Sequence, residues 1–383
     1  MTEKIKQNKI VIAGAGLVGL SFALLMKNTN LSIHILETHL PEILTPAKTD
    51  SRPISLSFGS YRILNSLGIW DELASIACPI LSVHVSEKGH LGFTRFSAKE
   101  QKLPALGYVV PFAQLQSALY HAVAASKNIT ITSITTLEGI NRDLEGVQIK
   151  TNNLSINADL LVAADGTHSV CRDLLHIAVD EKNSNDVACI YELSLSKDHD
   201  HTAYERFTTF GVFAVLPLHE KNRAKLVWTR KECDTDTDTD TDKIIKVFEG
   251  RLLIAAIKKI AQFPLKTIIA EKQVLQSSVL LGNSAHTIYP VAAQGFNLGL
   301  HDAAILCDAL KEAIENKKNI GHLSVLKKYE AIVKTHQEKI YRVTGELMGL
   351  FELPFIGFLR AKGLLTMDIL KPIKNKLVKR MTK

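Results

Sequence analysis

The 383-residue chain has five cysteines, an odd number, at Cys78, Cys171, Cys189, Cys233 and Cys307. They are widely scattered and form no CxxC or other metal-ligand spacing, so they read as reduced thiols of a cytosolic protein, each most simply a small buried apolar residue. No cysteine pair follows the first helical pattern, which excludes a disulfide reductase. No apolar run reaches the roughly 18–20 residues needed to cross a bilayer, and MTEKIKQNKIVIAG at the start lacks the layout of a signal peptide. A basic stripe with interleaved aromatics is missing too, so nucleic acid is not an expected partner.

What is present is ordinary in bulk and uneven in detail. Apolar residues make up 46% and charged residues 22% of the chain, the balance of a folded globular protein with room for two domains. The net charge is +7. Arg360, Lys362, Lys371, Lys374, Lys376, Lys379, Arg380 and Lys383, set against Asp368, account for all of it, so the rest of the chain is near neutral.

Near the start, Lys9-Ile-Val-Ile-Ala13 has the continuous apolar character of a strand buried on both faces. Gly14-Ala-Gly16-Leu-Val-Gly19 follows, then LSFALLMKN at helical spacing, then a second apolar run, Leu31–Leu36, ending at Glu37. In such a βαβ unit Gly14 allows a tight turn, Gly16 lets the backbone approach a pyrophosphate, and Gly19 lets helix and strand pack closely. Glu37 is placed to accept hydrogen bonds from both hydroxyls of an adenosine ribose. It would repel a ribose 2′-phosphate, which favours FAD or NAD over NADP here.

Far down the chain a second device appears. The apolar run Val279–Leu281 stops at Gly282, and a helical pattern opens near Asn297 and runs through Leu310. A strand, a glycine-bearing loop and a helix start present backbone N–H groups to something electron-rich. Two more segments accompany these. Asp50-Ser-Arg52 to Ser60 reads as a loop leading into a helix, and Leu160–Ala164 is a strand ending in Asp165-Gly166, with Ser169 and Arg172 on the next turn.

The ordered GxGxxG, Asp-Gly and Gly282-Asn283 segments resemble the flavoprotein aromatic hydroxylases, the single-component FAD monooxygenases of the para-hydroxybenzoate hydroxylase type. Within that group the chain is similar to the ubiquinone-biosynthesis hydroxylases, through Asp50-x-Arg52, Gly107-Tyr-Val-Val110, Ala203-Tyr-Glu-Arg-Phe-Thr208 with Leu216-Pro217, and Gln294-Gly-Phe-Asn-Leu-Gly299. Asn283 stands where the family usually has Asp, a trait similar to the 2-polyprenyl-6-methoxyphenol hydroxylase branch. Asn still hydrogen-bonds a ribityl hydroxyl. Ala293, where Gly is usual, and Pro111-Phe112 after the GYVV run are smaller departures.

The resemblance implies an α/β fold: a Rossmann-like FAD-binding domain of the glutathione-reductase type, an inserted antiparallel β-sheet substrate domain, and a C-terminal helical tail. The expected divisions are 1–75, 104–182 and 266–321 for the FAD domain, 76–103 and 183–265 for the sheet, and 322–383 for the helices. By the same resemblance, Gly14, Gly16, Gly19 and Glu37 would hold the ADP half of FAD, and Arg52 its pyrophosphate–ribityl region. Asp165 and Asn283 would meet the middle of the cofactor. Gly295, Phe296 and Asn297, with Pro290 on the same loop, would meet the isoalloxazine.

The implied reaction is hydroxylation of a polyprenylated phenol in ubiquinone biosynthesis through a flavin C4a-hydroperoxide, with O2 as cosubstrate. NAD(P)H is expected as a transient reductant, because no second GxGxxG marks a nicotinamide domain. His286 or Tyr289 would polarise the substrate hydroxyl. The structural alternative is that His286 packs beneath the flavin and Tyr289 closes the pocket. The rival readings are hydroxylation of another aromatic or ring position, reduction of prenyl double bonds, and a non-catalytic flavin-binding organiser of a quinone-making complex. With only Trp70 and Trp228, a tryptophan-type halogenase is disfavoured.

Three stretches complete the expectations. Phe207, Phe210, Phe213 and Trp228 lie on strand-like runs and are candidates for one wall of the substrate site, or for plain sheet core. Five Asp and four Thr alternate strictly from Asp234 to Asp242. Lacking the Gly and terminal Glu of a calcium loop, that segment reads as a solvated, mobile repeat. From His322 onward the pattern is helical, and Phe355–Leu370 mixes Phe, Ile and Leu with Arg and Lys. That mixture suggests peripheral contact with anionic membrane or a membrane-bound assembly, against the alternative of simple packing on the body; with the resemblance, these would be the inner face of the cytoplasmic membrane or a ubiquinone-biosynthesis complex.

Overall fold

The computed structural model describes residues 9–39, 52–90, 92–232, 237–289 and 294–352. The apolar runs at both ends of the chain meet in one six-stranded sheet. Its order is β18 (Val274–Leu275), β19 (Ser278–Leu280), β12 (Leu160–Ala163), β1 (Lys9–Ala13), β2 (Ser32–Glu37) and β8 (Ile129–Ser133). From β19 to β8 every pairing is parallel, and only β18 runs against its neighbour. Helices α1 (Leu17–Leu25), α5 (Phe112–Ala124) and α8 (Gln294–Glu315) share one core with Ile10, Ile12, Leu160 and Val162 of the sheet. The meander β9 (Leu137–Arg142), β10 (Val147–Thr151) and β11 (Ser155–Ala158) covers the other face, over Val11, Ala13 and Leu161. Burial on both faces explains why β1 and β12 read as unbroken apolar runs, each such side chain contributing about 1.5–3 kcal/mol.

Residues 53–57 form strand β3 (Pro53–Ser57), which corrects the expected loop. β3 pairs with β7 (Gly107–Pro111), and β7 with β4 (Cys78–Ile80), in a small antiparallel sheet. Helix α2 (Phe58–Ser66) follows directly, its first turn capped by Ser57, whose Oγ accepts from the Ser60 N–H. Two single-turn helices, α3 (Trp70–Leu73) and α4 (Ala98–Gln101), and α6 (Val170–Leu174) complete this part.

The second large sheet has eight strands in the order β20 (His286–Thr287), β17 (Ile254–Ala270), β13 (Val179–Leu195), β16 (Arg223–Lys231), β15 (Gly211–Pro217), β14 (Thr202–Thr208), β5 (Ser82–Glu87) and β6 (Phe93–Ser97). It is not wholly antiparallel as expected, because β14 and β5 pair in parallel where the two inserted pieces join. β13 and β17 are continuous across residues 183 and 265, the positions expected as divisions.

Strand register also corrects the proposed aromatic wall. Phe213, Trp228 and Cys189 share one row, on the face covered by α7 (Thr237–Phe248), where the Phe213 and Trp228 rings stack at 4.6 Å. Phe210 lies in the β14–β15 turn, with Lys243 of α7 over its ring at 5.8 Å. Of the four aromatics only Phe207 is on the opposite face, in a row with Val212, Thr229, Ala188 and Phe263. A period of two residues allows no other outcome once the register is set.

The Asp-Thr repeat is a second correction. Its later part is the start of α7, and Asp240 is 2% exposed. Asp240 receives two hydrogen bonds from the Arg230 guanidinium, at 2.7 and 3.2 Å, and one from the Tyr191 hydroxyl at 2.6 Å. Burial, reinforced by the bond to Asp240, raises the Tyr191 phenol above its ordinary range, so it stays a donor. A buried, bidentate Arg–carboxylate pair leaves a costly orphan charge when one partner is removed. Asp240→Ala is expected to lower stability by about 3–5 kcal/mol, whereas Asp242→Ala, at an exposed position of the same repeat, should change it by less than about 0.5 kcal/mol. Urea unfolding of both variants checks this, and equal effects would refute it.

Candidate cofactor and substrate site

Parallel pairing brings the motifs together. β19, β12, β1 and β2 are adjacent and point the same way, so the loops that follow them emerge along one edge of the sheet. Those loops carry Gly282-Asn283, Asp165-Gly166, Gly14–Gly19 and Glu37. Ligands of open α/β sheets bind at this carboxyl edge.

At Gly14 the backbone adopts φ +104°, and an added Cβ would lie 2.4 Å from the Ala164 carbonyl oxygen. Glycine is therefore required twice over, by conformation and by the approach of the β12 loop. Gly19 packs against Gly14 itself. Gly16 differs: a Cβ there would meet nothing within 4 Å. It is also the N-cap of α1, with no side-chain cap and no acid in the first turn. Open space before an uncapped helix start fits a pyrophosphate. Beside it, Glu37 accepts from the Ala15 N–H at 2.5 Å and the His39 N–H at 2.8 Å. The carboxylate thus stands beside the glycine loop, where a ribose would lie.

Asp165 accepts from the Ser169 hydroxyl at 2.6 Å and the Cys171 N–H at 2.9 Å, which fixes its carboxylate at the start of α6. Asn283 is exposed, on a 3-10 turn over Gly282–Ser284, with its amide 3.5 Å from the Thr167 hydroxyl. The Asp-Gly loop and the Gly-Asn turn therefore border the same space. Arg52 lies between the rings of Phe112, at 4.7 Å, and Phe263, at 5.1 Å. It joins the cofactor side to the face of the large sheet that carries Phe207.

α8 begins at Gln294, three residues before the expected start, so Gly295, Phe296 and Asn297 form its first turn. A Cβ at Gly295 would meet nothing within 4 Å. Phe296 is half-buried and packs against the main core. The Asn297 side chain donates to the Ser55 carbonyl and accepts from the Ser57 N–H, both at 2.8 Å. It clasps the edge of β3 as a further strand would, leaving the helix N-terminus to face a ligand with backbone groups. Pro290 lies outside the described residues, as do Asp50 and the segment 353–383.

His286 is completely buried, and its Nε2 lies 2.8 Å from Asp302 Oδ2. With no accessible atom, this ring is arranged to position the loop and has no contact to offer a substrate hydroxyl, a correction to its expected basic role. Tyr289 is half-buried, and its hydroxyl donates to Asp186 Oδ2 at 3.2 Å. Asp186 is also paired with Lys231 at 3.0 Å, so the flavin loop is tied to the large sheet. Phe112, Phe263, Asp186 and Asp302 do not stand out in sequence by motif. Only Asp302 leaves a signal, as a lone acid four residues after Leu298 and four before Leu306 on the buried stripe of α8.

Comparisons with known proteins agree with this geometry. The family model described as FAD binding domain matches residues 7–344. The 3-demethoxyubiquinol 3-hydroxylase of Escherichia coli is 28% identical, with 97% of each chain covered. Ubiquinone hydroxylase UbiL of Rhodospirillum rubrum is 26% identical, covering 96% of this chain and 87% of its own. Among solved structures, p-nitrophenol 4-monooxygenase PnpA of Pseudomonas putida superposes with a TM-score of 0.79 at 15% identity, over 98% of both chains. That likeness establishes the fold.

The two glycine positions separate folding from binding. Gly14→Val is expected to destabilise the protein and abolish FAD binding, whereas Gly16→Ala should leave the melting temperature within about 3 °C and weaken FAD by about tenfold or more. Differential scanning fluorimetry with an FAD titration checks both. Equal losses of stability would contradict the assignment.

Proposed function

The chain belongs to the FAD binding domain family, and from that premise we propose that it is an FAD-dependent hydroxylase of a polyprenylated phenol, of the 2-polyprenyl-6-methoxyphenol type, in ubiquinone biosynthesis. The observation that carries this reading is the convergence of four loops on one sheet edge, with the Phe207–Phe263 row of the large sheet joined to that side through Arg52. Its support is the ubiquinone-hydroxylase names of the relatives, together with the branch-like Asn283.

Gly14–Gly19, Glu37, Asp165, Asn283 and the start of α8 would hold FAD, which when bound would pass two electrons from NAD(P)H or another donor to O2, one oxygen atom going to the ring and the other to water. The protein's own residues orient, shield and hold charge. Gly16 and the start of α1 receive the pyrophosphate, and Glu37 receives the ribose. Asp165 and Asn283 flank the middle of the cofactor. The first turn of α8, free of acidic residues, offers N–H groups and the positive end of its dipole to the negative charge of the reduced ring. Phe263, Ala188 and Phe207 supply an apolar wall that excludes water. Tyr289, held by Asp186, closes the rim.

A substrate with an isoprenoid tail resides in lipid, which gives the basic C-terminal segment a purpose as a peripheral membrane contact. Among the described residues, no helix is long and apolar enough to cross a membrane.

The purified protein is expected to be yellow, to consume NAD(P)H and O2 in equal amounts, and to place one labelled oxygen atom from 18O2 in the phenol. Quinone-intermediate profiles of a deletion strain would identify the ring position. NAD(P)H oxidation without labelled product, or restoration of ubiquinone by a variant that cannot bind FAD, would overturn the enzymatic reading. Asn283→Asp should keep the cofactor and at least part of the activity, as read by absorbance and turnover. Trimming residues 372–383 should lower binding to anionic liposomes at low salt, and unchanged binding would remove the membrane role.

A further inference from the structure

Behind the flavin loop lies a chain of buried polar groups that the reaction scheme leaves without a role. It starts at His286, at 0% exposure, and passes through Asp302 of α8, at 1%. It continues to Gln337 of α9 (Leu323–Glu352), also 1%, and ends at Gln273 beside β18, at 2%. Gln337 Nε2 donates to Asp302 Oδ2 at 2.7 Å, the same oxygen that His286 Nε2 meets at 2.8 Å. Gln273 Nε2 in turn donates to Gln337 Oε1 at 2.6 Å. The Gln273 backbone N–H donates to Glu330 of α9 at 3.1 Å, so the same turn is held from two positions on that helix.

The direction of these bonds is informative. Asp302 has only acceptors when ionised, so both neighbours must present N–H to it. The Gln337 amide is thereby fixed with its oxygen towards Gln273, and the His286 proton is fixed on Nε2. Gln337 Nε2 also donates to Gln273 Oε1 at 3.2 Å, so the two amides are paired reciprocally and polarise one another in a dry interior. Asp302 Oδ1 and His286 Nδ1 are buried and take no hydrogen bond, so the carboxylate depends on the two bonds to Oδ2. A buried carboxylate that loses one of its two donors is strongly destabilised, and the bond left to it is then the one with His286, four residues after Gly282 and three before Tyr289.

On the reading that the turn at 282–289 borders FAD, we propose that Gln337 is a positioning residue for the cofactor: α9 sets Asp302 through Gln337, Asp302 sets the His286 ring, and the ring sets the loop carrying Asn283 and Tyr289. α9 then serves as the last brace of the flavin loop, reaching it from a helix that carries none of the binding motifs.

The test uses the full-length protein reconstituted with FAD. Gln337→Met keeps the length of the side chain and removes its polar atoms. It is expected to raise the Kd for FAD about tenfold, the scale of one hydrogen bond to a charged group, and to change the visible absorption and circular dichroism of the bound flavin. Gln337→Lys puts a donor back within reach of Asp302 while giving up the bond that Gln337 accepts from Gln273. It should bring Kd and spectrum back towards wild type. A Gln337→Met protein with a lower melting temperature but the wild-type Kd and flavin spectrum would overturn the proposal, leaving Gln337 a packing group. A Gln337→Lys protein that regains its melting temperature without regaining FAD affinity would overturn it equally. If the wild-type protein itself cannot be reconstituted with FAD, the reading of the site fails instead.

Discussion

The parallel pairing of β1 with β2 on one side and with β12 on the other is the constraint on which the site depends. Parallel neighbours cannot be joined by tight turns, so each pair must be separated by a long excursion of chain. The excursions between successive parallel strands carry α1 to α7, the small sheets and all of the large sheet but β20, which follows β19 with α8 and α9. Because the strands point the same way, every excursion leaves from the same edge, and loops from residues 14, 37, 165 and 282 become neighbours. The close approach at Gly14, where backbone replaces any side chain against Ala164, keeps β1 and β12 in register at the point where the loops diverge.

Besides apolar packing and backbone pairing, two side-chain contacts that attach the large sheet to this frame join chemically unlike groups. Arg52 lies between one aromatic ring from each side. Tyr289 reaches Asp186 across the same boundary. Asn297 does comparable work within the frame, closing the exposed edge of β3 with an amide that donates and accepts as a strand does. α9 adds a brace from behind through Gln337. These contacts hold the turn at 282–289 and the start of α8. The buried Arg230–Asp240 pair plays no part in that loop. It fixes α7 against the outer face of the large sheet and so keeps the opposite face free for the site.

Local chemistry made much of this legible in the sequence. The two apolar runs flanking GxGxxG, the Asp-Gly turn and the late glycine turn each announce themselves, because burial on both faces and close backbone approach permit few residue types. Other features depend on distant partners and leave no local mark. Strand register decided that Trp228 and Phe213 face α7 while Phe207 and Phe263 face the frame, a choice that aromatic content cannot express. Asp240 looks identical to the other acids of its repeat until Arg230 and Tyr191, ten and forty-nine residues earlier, are found beside it. His286 looks like a base until its burial and its bond to Asp302 are seen.

By itself, then, the sequence determined the family, the dinucleotide unit and the glycines that bring backbone close to a ligand, since these follow from short-range sterics and hydrogen bonding. Tertiary structure alone decided which polar residues are occupied with one another and which face open space. Such assignments depend on what lies opposite each side chain after folding, and the groups opposite come from distant segments, as with the 242 residues between Ser55 and Asn297.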